Sequence, residues 1–374
     1  MSPLERFDEL LGRRVSMRAL ALARILVGGV VLLHLRPFLL DAADGVTYRD
    51  SFHEPYAKWY PALPEPLYTA LLFAGAVAAV AMTLGLFTRV ATAATFGIVT
   101  YNVFLSTTHF HNNRAYLMIV LGLLALAPCG RELSLDAWLR RRRGLPRLDP
   151  RSHAWPLWLL RFECAVIYGA SGFSKLVDPD WFGGTVTWLR VTRARADLEA
   201  WPLPEWAVNL LTDHEFHRFA AKFIVATELF IALGLWWRGT RYAAVWVAVI
   251  FHTTIEASAA VQVFSILGIA VLLVWAVPST RDRVIRFDPA LAGQRRIALA
   301  VRALDWLARF RIEEAPSGPF ELTDRDGATV SGRPAVAFVL SRLPLTAWFA
   351  LPALLLPAVR RARRAGAKTV RMPA

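Results

Sequence analysis

Apolar residues in this chain come in long unbroken runs over most of the first 277 positions. Runs of that length predict helices that cross a bilayer, at about 20 residues per crossing. They fall at 19–40, 67–87, 90–106, 116–128, 155–174, 219–237, 242–254 and 261–277, the fourth and seventh being short. Beyond position 277 the pattern changes. Residues 283–288 alternate as a short strand, and 293–310 carry Ile297, Val301 and Leu304 at helical spacing. A second strand is expected at Arg311, Ile312 and Glu313, a hairpin turn at Asp326-Gly327, and helices at 334–343 and 346–364. The expected fold is therefore an all-α polytopic membrane helical bundle of about eight transmembrane helices, over 1–280, with a small C-terminal cytoplasmic α/β module over 281–374.

Composition agrees with a membrane protein. Of 374 residues, 56% are hydrophobic and 19% charged, too apolar for an average soluble domain. The net charge of +14 would suggest nucleic acid if the arginines formed one soluble patch, but they cluster between apolar runs. Arg13, Arg14 and Arg18 precede the first run, Arg89 sits between the second and third, and Arg131 with Arg140 to Arg143 and Arg147 follows the fourth. Arg238 and Arg241 follow the sixth, and Arg281, Arg283 and Arg286 the eighth. If the spans alternate, all these loops share one side, which the positive-inside rule makes the cytoplasm. The expectation is a multi-pass protein of the plasma (inner) membrane with both termini cytoplasmic, its first span retained rather than cleaved, and no nucleic-acid partner. Two cysteines, Cys129 and Cys164, make no disulfide framework and no zinc ligand set, so no metal is expected.

Polar residues other than arginine collect at the opposite ends of the runs. The most informative stretch is 167–184, where an apolar run reaches Lys175 as its apolar residues give out. An ammonium at the mouth of a membrane helix is a candidate for chemistry; the plain alternative is a lysine that snorkels to the interface. Gly169 and Gly172 allow close approach, Asp178 and Asp180 follow, and Trp181 with Phe182 makes an interface anchor. The same side holds His109, His111, Asn112, Asn113, Arg114, His252 and Glu256, which a closed bundle would gather around Lys175. Between Lys175 and Phe216, tryptophans alternate with charges as in an interfacial helix broken by Pro202 and Pro204, a lid that need touch no substrate. Inside the runs, Glu228 is deep enough to require a partner, expected to be an arginine or histidine of a neighbouring helix.

Several segments together resemble the vitamin K-dependent γ-glutamyl carboxylase membrane domain, the HTTM family. They are Leu22 to Gly28, Asn112-Asn113 before Tyr116-Leu117, Gly130 to Trp138, Tyr168 to Lys175 with Trp181 and Gly184, and Phe251-His252. The resemblance implies an enzyme that oxidises a reduced quinone, of menaquinone or vitamin K type, with O2, and uses the strong base so formed to carboxylate glutamate. It makes Lys175 the starting base; the enzyme reading built on it takes His111 and His252 as polar partners and places Asn112, Asn113, Arg114 and Trp181 at the substrate and cofactor. Such a base must be a neutral amine, which a half-buried place beside Arg114 would favour. The family's histidine after the Asn-Asn pair is Arg114 here, and its two adjacent lysines are Ser174-Lys175. Implied partners are membrane lipid, a quinol and a small or peptide substrate at the outer face. The alternative is a non-catalytic membrane scaffold or lipid-binding protein with a partner-docking cytoplasmic domain. The tail resembles the DCC-type thiol-disulfide oxidoreductase-like family, a thioredoxin-like module, through Phe287-Asp288, Arg295-Arg296, Asp326-Gly327 with Gly332, and Leu343-Pro344. Its two active cysteines fall on Leu291 and Gln294, which excludes disulfide exchange.

Overall fold

A computed structural model describes residues 2–45, 55–237, 239–259, 263–276 and 283–346. A capping box of Ser2 and Glu5 starts α1 (Pro3–Gly12), and β1 (Arg14–Ser16) leads into α2 (Arg18–Ala43). α3 (Glu65–Leu84), α4 (Thr88–Leu105), α5 (Asn112–Leu126) and α6 (Leu135–Arg142) follow. β2 (Arg151–His153) pairs antiparallel with β1 and precedes α7 (Trp155–Val177). Four short helices come next: α8 (Pro179–Phe182), α9 (Thr185–Arg193), α10 (Arg195–Glu199) and α11 (Glu205–Leu211). α12 (His214–Gly234), α13 (Arg241–Ala259) and α14 (Val263–Leu272) complete the bundle, the last tightening to a 3-10 turn at Leu273–Trp275.

Each of the eight apolar runs thus contains a helix, which in several runs ends one to three residues before the run does. Among the described residues, α2 and α3 are the two helices both long and apolar enough to cross a membrane. Length or charge accounts for three of the others. α5 has 15 residues, about 22 Å at 1.5 Å per residue, less than a hydrocarbon core of about 30 Å. α7 carries Arg161, Glu163 and Lys175, and α12 carries Glu215, Arg218, Lys222 and Glu228. α2 packs on α3, α5 and α14, and α7 on α5, α12 and α14. Their shared core includes Val27, Val31, Leu35, Leu72, Met82, Leu117, Leu121, Leu160 and Leu267.

Polar anchors fix one end of this bundle. Arg24, fully buried, donates through Nη1 to the Cys129 carbonyl at 3.3 Å and through Nη2 to that of Leu133 at 2.6 Å. Arg161 donates from Nε to the Val274 carbonyl at 2.8 Å. Asp136 caps α4, accepting from the amides of Phe87 and Thr88 at 2.8 Å each and from Thr88 Oγ1 at 2.7 Å. Arg14 pairs with Asp149 at 3.0 Å and Arg18 with Glu132 at 3.2 Å. The connections 12–18, 85–88 and 127–155 are therefore held together at this end. Asp136→Ala is expected to cost about 1 to 2 kcal/mol, the loss of a helix cap. Thermal unfolding in detergent checks it, and an unchanged midpoint would mean that water replaces the cap.

The chain divides into two compact units, Met1–Trp275 and Ala276–Ala374. In the second, β3 (Arg283–Phe287) is followed by α15 (Ala292–Leu304), β4 (Phe310–Glu314), β5 (Glu321–Thr323), β6 (Thr329–Ser331) and α16 (Arg333–Leu340). The sheet order is β4-β3-β5-β6, with β3 parallel to β4 and the other pairs antiparallel. Ile285, Phe287, Val301, Phe310, Leu322, Val330 and Phe338 form its core. The helix expected over 293–310 stops at Leu304 because Asp305 turns its carboxylate onto the amides of Arg309 and Phe310, at 2.8 and 2.9 Å. Those amides then open β4 instead of extending the helix. The helix expected at 346–364 lies outside the described residues apart from its first position.

Candidate functional site

Tyr168, Ser171 and Lys175 lie on one stripe of α7, at the spacing that puts side chains above one another. That stripe faces α12, and Gly172 lets the two helices close up: a Cβ there would sit 3.2 Å from the Cβ of Glu228. Lys175 Nζ reaches across to Glu228, with Oε1 at 2.7 Å and Oε2 at 2.8 Å, and donates to Ser171 Oγ at 2.6 Å. Ser171 in turn donates to Glu228 Oε1 at 3.0 Å. The lysine side chain is 15% exposed and the glutamate 4%. So the amine does not swing in solvent.

The chain after α7 closes over this pair. Asp178 accepts from the amides of Asp180 and Trp181 at 2.9 and 3.2 Å, which starts α8 and brings the Trp181 ring to 5.0 Å from Nζ. Asp178 is thereby occupied as a helix cap. α8 and α9 both pack on α12, and Trp188 Nε1 donates to the Thr212 carbonyl at 2.9 Å. Below Lys175 on the same stripe, Tyr168 Oη and His252 Nε2 share a hydrogen bond of 2.7 Å. His252 is 1% exposed, edge-on to Phe264, and its Nδ1 has no partner among the described residues.

This arrangement departs from the expected ring of histidine and amide side chains around the amine. The partner of Lys175 is a carboxylate, and the partner of Glu228 is this lysine instead of an arginine or histidine. His252 meets Tyr168 and not Lys175. His111 is exposed and caps α5, its Nδ1 accepting from the Asn113 amide at 3.2 Å. Asn112 is exposed and Asn113 half-buried in the same first turn. Arg114 donates from Nη1 to the His109 carbonyl at 2.8 Å and lies over the Phe38 ring at 5.4 Å. Among the described residues no hydrogen bond or ion pair joins Lys175 to His111, Asn112, Asn113, Arg114 or His252. Of the predicted set, only Trp181 meets the amine.

Ser171 and Tyr168 were missed as polar partners, although both stand in the stretch singled out for Lys175. Helical spacing back from Lys175 would have found them. The pairing with Glu228 had no such signal. Lys175 is near the end of α7, whereas Glu228 lies 14 residues into α12, about 21 Å along that helix. Counting equal depths on consecutive antiparallel helices misses this, because the first turns of α12 extend past α7 and are flanked by α8, α9 and α11.

A family model, HTTM domain, matches residues 13–279, most of the chain. The chain belongs to the HTTM domain family. At the level of that family it is a vitamin K-dependent carboxylase-like membrane protein. No curated protein and no solved structure matches it. Lys175, Glu228, Tyr168, His252, Arg114 and Trp181 all lie within the HTTM region, and the β4-β3-β5-β6 sheet lies outside it. Among the described residues of this HTTM protein, no group of three or more His, Cys, Asp or Glu could hold a metal ion. Both cysteines are buried and free.

Proposed function

We propose that this HTTM protein is a quinol-dependent membrane enzyme in which the Lys175–Glu228 pair accepts and holds the proton. The observation that carries the reading is the enclosed pair itself, bidentate at 2.7 and 2.8 Å and roofed by Trp181. A reduced quinone of menaquinone or vitamin K type, when bound, supplies an ionisable hydroxyl and two electrons for O2. The donor set suits such a group, with an aromatic face at Trp181, a carboxylate able to take a proton at Oε1 or Oε2, and an ammonium to hold the charge left behind. Glu228 would take the proton, Ser171 would keep its carboxylate aligned, and Lys175 Nζ would remain the fixed positive charge. This differs from a lone neutral amine acting as the base.

A plasma-membrane setting with both termini cytoplasmic belongs to the same reading. Its support is the set of arginine-rich connections held together at one end of the bundle. For the tail, the reading is a thioredoxin-like module without thiols, supported by a parallel β-α-β unit followed by an antiparallel hairpin and a helix. Leu291 and Gln294 stand at the start of α15, where Gln294 Oε1 accepts from the Asp288 amide at 2.8 Å. Such a part would dock a cytoplasmic protein. A silent, lipid-binding scaffold is the second reading, favoured by the mutual satisfaction of Lys175 and Glu228, which a purely structural ion pair would also show.

The two readings separate in one experiment. Purified protein is expected to consume menaquinol in an O2-dependent way, and Lys175→Ala and Glu228→Gln are each expected to lower the rate by about a hundredfold or more, the usual scale for a proton-transfer group. Equal rates in both variants, or no consumption of any of several quinols, would leave the scaffold.

A further inference from the structure

We propose that the bundle contains a second polar site, for an oxyanion, between α2, α3, α4 and α5, built on Arg114, His34 and Asn102. It shares no residue with the Lys175–Glu228 pair and does not rest on the quinol reading. Phe38 is its hub. The ring of Phe38 meets that of His34 at 5.7 Å and that of His109 at 5.1 Å, and the Arg114 guanidinium covers it at 5.4 Å. Tyr68 Oη donates to Asn102 Oδ1 at 2.7 Å, and His109 Nδ1 lies 2.9 Å from the Asn102 carbonyl oxygen.

Within this group the hydrogen bonding is incomplete. His34 is 2% exposed and Asn102 1%, yet His34 Nε2 and Asn102 Nδ2 have no partner among the described residues. They are two of eleven such atoms among the described residues, and these two stand in one cluster with a guanidinium. Beside them Arg114 spends Nη1 on the His109 carbonyl and forms no ion pair with a carboxylate among the described residues. The amide Nδ2 is a donor, His34 Nε2 donates in its Nε2–H tautomer, and the guanidinium brings a permanent charge with further N–H groups. Two donors without partners, in one cluster with a cation that has no carboxylate partner among the described residues, call for a ligand that is all acceptor and negatively charged. A carboxylate or phosphate group meets that description. Its source can be a small soluble anion or the headgroup of an anionic phospholipid.

The test uses the full chain. Thermal unfolding is followed in detergent with acetate or inorganic phosphate at constant ionic strength, and in nanodiscs of phosphatidylglycerol against phosphatidylcholine. A saturable rise of the midpoint is expected in at least one arm. Response to acetate or phosphate identifies a free anion, and response to phosphatidylglycerol alone identifies a headgroup. Arg114→Gln should need at least about tenfold more ligand for the same rise, the loss of one charge-assisted hydrogen bond. Asn102→Asp keeps the acceptor for Tyr68 and adds a carboxylate to the cluster that holds the guanidinium. It should unfold at a higher temperature without ligand and respond to none of the anions, which keeps the test decisive if Arg114→Gln does not fold. No saturable response in any arm, an equal response in Arg114→Gln, or a retained response in Asn102→Asp would overturn the site.

Discussion

Lys175→Met is expected to destabilise the bundle by about 3 to 5 kcal/mol, the cost of stranding one member of a buried ion pair. The Glu228 carboxylate is 4% exposed, and without Nζ it keeps, among the described residues, only the hydroxyl of Ser171 as a close donor. The charge then has to be neutralised by a proton or hydrated by water drawn into the helix interface, and both are unfavourable. The double variant Lys175→Met with Glu228→Leu is expected to recover most of the loss, since two apolar side chains of similar volume replace the pair without burying a charge. Unfolding free energies of the two single variants and the double variant in detergent measure the coupling directly. Additive effects would show that each group is compensated separately, by water or lipid. The double variant also isolates chemistry from folding. If it is stable and has lost menaquinol consumption, the pair serves the reaction. If it is stable and no activity was ever present, the pair is a structural fastening.

Gly184→Ala is the second large effect, expected at about 2 to 6 kcal/mol from backbone strain together with overpacking. Gly184 has φ +86°, in the left-handed region, and opens α9 directly against α12. A Cβ there would fall 2.5 Å from the Arg218 amide nitrogen and 2.6 Å from the His217 carbonyl oxygen. Both are helix backbone, which cannot swing aside as a side chain would. Relief requires α9 to lift from α12. The turn that carries Trp181 over Lys175 ends at this glycine, so the roof of the site should shift with it. Gly97→Ala is the control: it lies inside α4 with nothing within 4 Å of an added Cβ, and alanine there should be neutral or stabilise by up to about 1 kcal/mol. Thermal midpoints of the two variants in the same detergent make the comparison. Equal midpoints would show that α9 is free to move and does not fix the site.

The eight bundle helices were legible because an apolar run of that length is helical wherever it is buried, whether by lipid or by protein. The tail's first strand was legible from the alternation of Ile285 and Phe287 with Arg286 between them, and the turn at Asp326-Gly327 from its φ requirement, met by Gly327 at +77°. Membrane-crossing length was less so, since the runs alone do not show that α5 ends at Leu126 or that α14 tightens into a 3-10 turn at Leu273. At the site, the sequence by itself determined that an amine stands at the end of α7 with an indole six residues on, and that a deep carboxylate at Glu228 must find a partner. Only the tertiary structure decided that these two needs answer each other, and that His111 and Arg114 answer others. The physical reason is that partner choice follows which helices pack and how far one slides past the next, and α12 overruns α7 by several turns. Periodicity fixes the face a residue occupies along its own helix; it carries no information about the depth at which a neighbouring helix presents its charge.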